Sequence, residues 1–382
     1  MIAYFRGRTR LWAAGGLWGG ILLAAFDVYA AVVTYIPQYA VRNDFRLMYG
    51  AALAGLRDGY PHLYDLAAQK AAVEGLGPGF YWSPFLNPAP LAWLATPFIL
   101  LPFGIAIWLW TAVLVGAAAL AWWLAAPGSG VARYAHLALF LGLFPTAFGL
   151  MVGQPAALVA AAVALTWWLA SRRHDVAAGL VLSVIVIKPQ LALLVPVCLL
   201  VAGRTRLFVA WAVAVGVMAA ITLVMLGGEG VQRYRDVLAL AAQWDITRRY
   251  AVAGPLGLGP QTYAVQAVVL AVAAAGAWRQ RGADLGYPIA TGLVASLLFT
   301  PYVGFQDFAM LVLAGWLVVR AGATAPQVVI LVLGYAMLEL ALLVMAVPIL
   351  LAEAALLAAL AWPGVRQRGK LNPQPVTARS TP

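Results

Sequence analysis

The chain has 382 residues, of which 64% are hydrophobic and only 10% are charged, and its formal net charge is +11. Because so few charged side chains cannot cover a surface that faces water, this composition excludes a set of soluble globular domains. The basic residues lie in short clusters between long apolar runs, so the positive charge indicates membrane orientation, and we expect no nucleic-acid partner.

The apolar runs are continuous and predict an all-α integral membrane protein, because the strands of an outer-membrane barrel alternate within segments of about ten residues. The first run extends from 11 to 36. It is too long for the apolar region of a signal peptide and predicts a retained spanning helix. Arg6, Arg8 and Arg10 precede it, which predicts a cytoplasmic N-terminus.

The first polar interruption follows this helix and reads RNDFRLMYGAALAGLRDGYPHLYD, from 42 to 65. Its apolar residues Phe45, Met48 and Ala52 recur at helical spacing, which predicts an amphipathic helix lying on the outer surface. Asp44 directly precedes that helix. This position suits a catalytic carboxylate or a helix N-cap, a role that Asn43 could share.

The segment FLNPAPLAWLATPFILLP at 85–102 leaves two interpretations open. It is apolar enough to span, but its four prolines interrupt a regular helix. If it spans, the arginine clusters at 172–173 and 204–206 fall on the other side of the membrane, away from the cytoplasm. We therefore treat it as a short helix at the outer interface, with the second span at about 104–126.

Counting onward places Gln154 and Lys188 on the outer side. The helices that flank Lys188 have about 12–15 residues, too few to cross a bilayer, so this lysine is expected in a cavity below the membrane surface. A second outer loop at 227–261 carries another interfacial helix, and a third lies at 299–308. The run at 326–362 is long enough for two spans.

This count gives about twelve spanning helices, in a single membrane domain at 1–370 with outer loops at 37–103, 227–261 and 299–308. The C-terminus is predicted in the cytoplasm, and the tail at 371–382 is expected to be disordered. Cys198 is the single cysteine, so no internal disulfide can form.

Six segments along the chain carry a family resemblance. In order they are DF at 44–45, DGYPHLYD, WSPFLNPAPLAWLATPFILLP, GQPAALVAAAVAL, DVAAGLVLSVIVIKPQLALLVP and LLFTPYV. Together they resemble glycosyltransferase family 87 over roughly residues 20 to 320. The resemblance implies a GT-C-type fold and an inverting transfer from a polyprenyl-phosphate sugar to a hydroxyl of a lipid or glycan. The sugar would be mannose or another hexose or pentose.

The resemblance also implies a site on the outer face of a bacterial cytoplasmic membrane. Asp44 matches the catalytic aspartate, since a carboxylate can take the proton from the acceptor hydroxyl. Lys188 matches a lysine near the donor phosphate, where a buried cation stabilises the anion. Arg248 and Arg249 would close over that phosphate or bind lipid headgroups.

Further polar residues on the predicted outer face are candidate substrate ligands. Gln154 would bind sugar or cap the next helix, and Arg42 would flank the aspartate or belong to a solvated face, as would Arg46. The late loop reads TPYVGFQDF, where related sequences carry a Ser-Trp-Asp-His-His type stretch, so Gln306 and Asp307 stand near the expected histidines.

Other residues of the first loop, His62, Asp58 and Asp65, are expected to be structural. The outer-face acids are scattered without paired ligand spacing, so we expect no metal. No other cofactor and no obligate protein partner are expected, apart from membrane lipids.

Two other classes of function stay open. Asp27, Glu339 and Glu353 lie inside apolar runs, where acids often mark function, so a proton-coupled transporter or lipid-linked-sugar flippase is the alternative. The sequence shows none of the internal repeats typical of many transporters. A structural membrane protein is a third hypothesis, which the long polar loops disfavour.

Overall fold

The computed structural model of the chain describes residues 9–30, 32–33 and 38–362. Within these ranges the chain is helical and contains no strand, in agreement with the predicted all-α membrane protein. The predicted tail at 371–382 lies outside the described residues, as do the first arginines of the chain, Arg6 and Arg8.

The N-terminal part combines one long helix at each end with short helices between them. Its helices are α1 (Thr9–Ala30), α2 (Tyr39–Arg42), α3 (Phe45–Arg57), α4 (Leu66–Glu74), α5 (Ala89–Ala95) and α6 (Phe103–Ala125). The predicted helix agrees with α3 in its position, but nine of the 13 residues of α3 are buried, so it does not lie on the surface of the protein. Within 85–102 the chain forms α5 and a 3-10 segment at Thr96–Leu100, about 20 Å in all, which favours the short-helix interpretation.

The middle part consists of helices that are repeatedly broken. They are α7 (Val131–Gly142), α8 (Phe144–Met151), α9 (Ala156–Ser171), α10 (Asp175–Leu182), α11 (Val195–Val201) and α12 (Thr205–Ala241). Two 3-10 segments, Ser183–Ile187 and Pro189–Leu191, flank Lys188, so the prediction of short helices there is confirmed. Helix α12 is broken at Gly227, where φ is 60° and ψ is −176°, and its second half is the helix predicted in the second outer loop.

The C-terminal part returns to regular apolar helices after two single-turn helices. Its helices are α13 (Asp245–Arg248), α14 (Ala253–Leu256), α15 (Pro260–Arg279), α16 (Gly286–Phe299), α17 (Ala309–Arg320), α18 (Ala325–Leu338) and α19 (Val347–Ala361). A 3-10 segment at Phe305–Phe308 precedes α17. The run at 326–362 is divided into two apolar helices, α18 and α19, both shorter than the helices that could span a membrane.

Membrane-spanning character is clear for part of this set. Four of the described helices, α1, α6, α12 and α15, are long and apolar enough to cross a membrane, and the pair α7–α8, bent by 60°, would be a fifth. Most of the other predicted spans coincide with shorter apolar helices. The total of about twelve spans stays a prediction.

Contacts between the predicted outer loops hold them together as one region. The Tyr64 and Tyr234 rings stack at 4.3 Å, which joins the first loop to the second half of α12. Beside them the Asp65 carboxylate lies 3.3 Å from the Arg233 guanidinium. The Tyr250 ring meets that of Phe305 at 5.7 Å, so the second loop also contacts the third.

Candidate active site

Asp44 is held at the start of α3 by its backbone while its side chain stays available. The Asp44 N–H donates to the Val152 carbonyl at 2.8 Å. Although Asp44 occupies the N-cap position, its side chain accepts no capping hydrogen bond. The Asn43 amide oxygen accepts from the Phe45 N–H at 2.9 Å instead. A capping role therefore does not explain why position 44 carries a carboxylate.

A tight turn between α8 and α9 brings Gln154 to this carboxylate. Gly153 has φ +72°, in the left-handed region that favours glycine, and its carbonyl accepts from the Trp110 indole at 2.8 Å. The Asn43 side-chain amide donates to the Met151 carbonyl at 3.1 Å. The Gln154 amide then donates to Asp44 Oδ2 at 2.6 Å.

Lys188 joins the same cluster from the break after α10. Its ammonium donates to Gln154 Oε1 at 2.9 Å and to Asp307 Oδ1 at 2.5 Å. Lys188 and Asp307 are buried, with 4% and 2% of their side chains exposed. The other Asp307 oxygen accepts from the Gly304 N–H at 3.1 Å. Asp44, Gln154, Lys188 and Asp307 thus form one hydrogen-bonded chain, here called the polar cluster.

Arg46 adds a second cation and flanks the aspartate, which is one of the two predicted alternatives. Its guanidinium lies 3.6 Å from Asp44 Oδ1 and donates to the carbonyls of Asn43 at 2.7 Å and Tyr81 at 2.6 Å. Arg46 is buried, so the expectation that it belongs to a solvated face is wrong. Two carbonyls and a carboxylate compensate for its loss of water.

The surroundings of Asp44 act on its pKa in opposite directions. Burial raises the pKa of the Asp44 carboxyl, because loss of water disfavours the charged form. The hydrogen bond from Gln154 and the charges of Arg46 and Lys188 lower it. Its side chain keeps 33% exposure. An acceptor hydroxyl can therefore approach the Asp44 carboxylate, while the ion pair between Lys188 and Asp307 stays buried away from water.

The remaining predicted ligands lie outside the polar cluster. Arg42 is exposed, as a solvated residue would be, and Gln306 is half-buried beside Gly149. Arg248 pairs with Asp245 at 2.5 Å. Burial raises the pKa of Tyr302 in the late loop, and the charge of Arg248 lowers it.

Arg249 is exposed. In the described part of the chain, neither Arg248 nor Arg249 has a hydrogen bond or ion pair with the polar cluster.

Two acids of the first loop have structural roles, as predicted. The Asp65 carboxylate caps α4 by accepting from the Ala68 N–H at 2.8 Å. Asp58 follows α3 as its C-cap residue and accepts from Arg57 at 2.8 and 2.9 Å. Among the residues that the structure describes, no group of three or more His, Cys, Asp or Glu side chains has the arrangement of a metal site.

Sequence reasoning missed Trp110 and the burial of Arg46, whereas it named Asn43 as a candidate cap of α3. One signal for Arg46 is present in α3, which reads FRLMYGAALAGLR and contains only two charged residues. Such a helix has apolar or small residues nearly all round and is expected to be buried. Its first charged side chain then needs partners inside the protein. Nothing local to Trp110 distinguishes it from other helix residues.

Fold and site together define a polytopic membrane protein whose charged centre is built from the breaks between helices. The model of glycosyltransferase family 87 matches residues 85–301, more than half of the chain, and the chain belongs to this family. The protein is therefore a glycosyltransferase. The match includes Gln154 and Lys188 but ends before Asp307 and begins after Asp44. No curated protein and no solved structure gives a significant match.

Proposed function

We propose that this glycosyltransferase moves a sugar, mannose or another hexose or pentose, from a polyprenyl-phosphate donor to a hydroxyl of a lipid or glycan. The reaction inverts the anomeric carbon and takes place at the outer face of the bacterial cytoplasmic membrane. One observation carries the proposal: Asp44 and Lys188, far apart in sequence, both hydrogen-bond to Gln154.

In this mechanism the Asp44 carboxylate is the general base. It accepts the proton of the acceptor hydroxyl as that oxygen bonds to the anomeric carbon. The bond from this carbon to the phosphate oxygen breaks on the opposite face, and the lipid phosphate leaves with the bonding electrons. A phosphate is already a stable anion, so no general acid is required.

Lys188 stabilises the leaving phosphate. Its ammonium is a buried hydrogen-bond donor, and such donors are stronger where water is excluded. Asp307 acts as its counter-ion and orients the ammonium; this replaces a role as a substrate ligand. Arg248 and Arg249, on the second loop, supply further cations once the donor occupies the site.

The charge balance of the site disfavours a donor with more negative charge than a single phosphodiester carries. The cations Arg46 and Lys188 face the carboxylates Asp44 and Asp307, so their formal charges sum to zero. A pyrophosphate, with more negative charge, would need additional cations or a metal. The membrane setting of the helices supports a lipid-linked donor for the same site.

Transfer assays with the purified protein in lipid vesicles test this function. Wild type should transfer sugar from polyprenyl-phosphate mannose, or from a donor with another sugar, and not from nucleotide sugars. Asp44→Asn should lower the transfer rate by about 10²–10⁴-fold, the usual contribution of a general base. Asp58→Asn, in the same loop, should retain the wild-type rate. Full transfer by Asp44→Asn would show that another group is the base.

A further inference from the structure

A concave polar region lies at the end of the helices opposite to the polar cluster. It comprises two adjoining depressions of about 550 and 570 Å³ that share Asp175, Arg204 and Arg206 in their lining. Gln154 precedes the first turn of α9, whereas the depressions begin at its last residues. The 16 residues of α9 rise about 24 Å, which separates the two regions.

The lining of this region has more positive than negative charge. It includes the arginines Arg173, Arg204 and Arg206 and the acids Asp175 and Asp284. We call these five residues the arginine pocket.

The five residues carry three positive and two negative formal charges, which leaves one positive charge in excess. Arg204 lies 3.9 Å from Asp175, and Asp284 accepts from the Gly286 N–H at 2.7 Å. Over the described ranges, the side chains of Arg173 and Arg206 form no hydrogen bond or ion pair with other residues.

The backbone at Arg173 has a conformation that glycine adopts more favourably than arginine. Helix α9 ends with the His174 N–H donating to the Leu169 carbonyl and the Arg173 N–H donating to that of Ala170, both at 3.0 Å. This turn places Arg173 at φ +63°, where glycine is the usual residue. An arginine there puts a guanidinium at the rim of the pocket in spite of the strained backbone.

Exposed apolar side chains continue from the pocket along two packed helices. Val176 and Leu180 on α10 are 57% and 52% exposed, and Val209 and Val213 on α12 are 53% and 61% exposed. They lie within the first two turns of α10 and the first three turns of α12, and both helices begin at the pocket. An acyl chain could lie along this surface while a charged headgroup meets the arginines.

We propose that the arginine pocket binds the phosphodiester of a phospholipid with one net negative charge. The excess of one positive charge matches a single phosphate, and the N-termini of α10, α12 and α16 add favourable dipoles. The adjoining apolar surface favours a lipid over free phosphate as the source of this group. This site is separate from the transfer reaction and does not depend on the donor proposed above.

Native mass spectrometry of the full-length protein in detergent tests the site, with phosphatidylglycerol as the probe and phosphatidylcholine as the reference lipid. Arg206→Gln should weaken phosphatidylglycerol binding about tenfold, as expected for loss of one charge-assisted hydrogen bond. Arg172→Gln is the matched control, because Arg172 is an exposed arginine one residue from Arg173 that does not line the pocket. Its binding should equal that of wild type.

Arg173→Gly separates binding from folding. Glycine relieves the left-handed backbone, so the melting temperature should rise while phosphatidylglycerol binding falls. Equal losses in Arg206→Gln and Arg172→Gln would mean that the arginines form only a solvated, orienting face, and the proposal would be wrong. If inorganic phosphate displaces phosphatidylglycerol and binds as tightly, the pocket takes soluble phosphate and the lipid assignment fails.

Discussion

Asp44 owes its proposed chemistry to a balance between burial and three neighbours. Burial raises its pKa, which strengthens the carboxylate as a base, whereas Gln154, Arg46 and Lys188 keep the charged form accessible. Gln154 is the member that touches both halves of the site, because its amide donates to Asp44 and accepts from Lys188.

Gln154→Leu should shift the pH dependence of transfer. The carboxylate form is active, so activity falls as the pH drops below the Asp44 pKa. Removing the hydrogen bond that lowers this pKa raises it further, and the acid limb of the pH–rate profile should move to higher pH. Gln232→Leu, an exposed glutamine of α12, should leave the profile in place. An unchanged acid limb in Gln154→Leu would show that Gln154 does not influence the pKa of the base.

The buried ion pair between Lys188 and Asp307 should tolerate the loss of both partners better than the loss of one. Lys188→Met alone leaves an uncompensated carboxylate and should destabilise the protein by about 3–5 kcal/mol, while the double variant with Asp307→Leu should recover most of that loss. Thermal unfolding in detergent measures both. Transfer should be lost in both variants, since the lysine is absent. Equal melting temperatures for the single and double variants would contradict a buried pair.

At the residue scale the sequence predicted the main participants and not their contacts. Asp44 and Lys188 are charged residues beside apolar helices, and the family resemblance implies a role for each. Arg46 can be buried because its guanidinium donates to the carbonyls of Asn43 and Tyr81. Tyr81 lies far along the chain from Arg46. No local pattern of residues contains that information.

The elements around the site meet through a turn that only glycine accommodates. A Cβ at Gly153 would lie 2.1 Å from the Asn43 amide oxygen, in addition to the strain of its left-handed backbone. The turn therefore couples the start of α3 to the start of α9, the two places that supply Asp44 and Gln154.

Gly153→Ala should displace Asn43 and separate Asp44 from Gln154. We expect a loss of stability of about 1–3 kcal/mol and a lower transfer rate, measured by thermal unfolding and by the vesicle assay. Gly116→Ala is the control, because a Cβ at Gly116, within α6, meets nothing within 4 Å. It should be neutral or stabilise by up to about 1 kcal/mol. A Gly153→Ala protein as stable and active as wild type would exclude this coupling.

At the element scale, helix α3 and the short helices beside Lys188 were predicted at nearly their observed positions, because apolar spacing and length suffice for that. The break of α12 at Gly227 agrees with the predicted end of a span. Individual helix ends follow local signals such as Pro145 and Pro196 in the first turns of α8 and α11. How these broken helices pack depends on contacts between distant segments.

For the whole molecule, the polar cluster and the arginine pocket should lie on opposite sides of the membrane. Arginine clusters favour the cytoplasmic side, which leaves the cluster on the outer face. The buried Cys198 is the single cysteine, so a Cys198→Ala background allows one cysteine to be introduced at a time.

A membrane-impermeant thiol reagent applied to intact cells tests this placement. Asp58→Cys, in the first outer loop, should be labelled directly. Arg172→Cys, beside the arginine pocket, should be labelled only after the cells are permeabilised. Labelling of both positions from outside would overturn the predicted topology, and with it the outer-face site.

By itself the sequence determined the membrane class, the order of the helices and the main candidate site residues, because composition and apolar spacing are local properties. It also carried the family resemblance that the match over 85–301 confirms. Only the tertiary structure decided that Asp44, Gln154, Lys188 and Asp307 form one hydrogen-bonded chain. These residues come from four separate breaks between helices, and which breaks meet is decided by the packing of the helices around them.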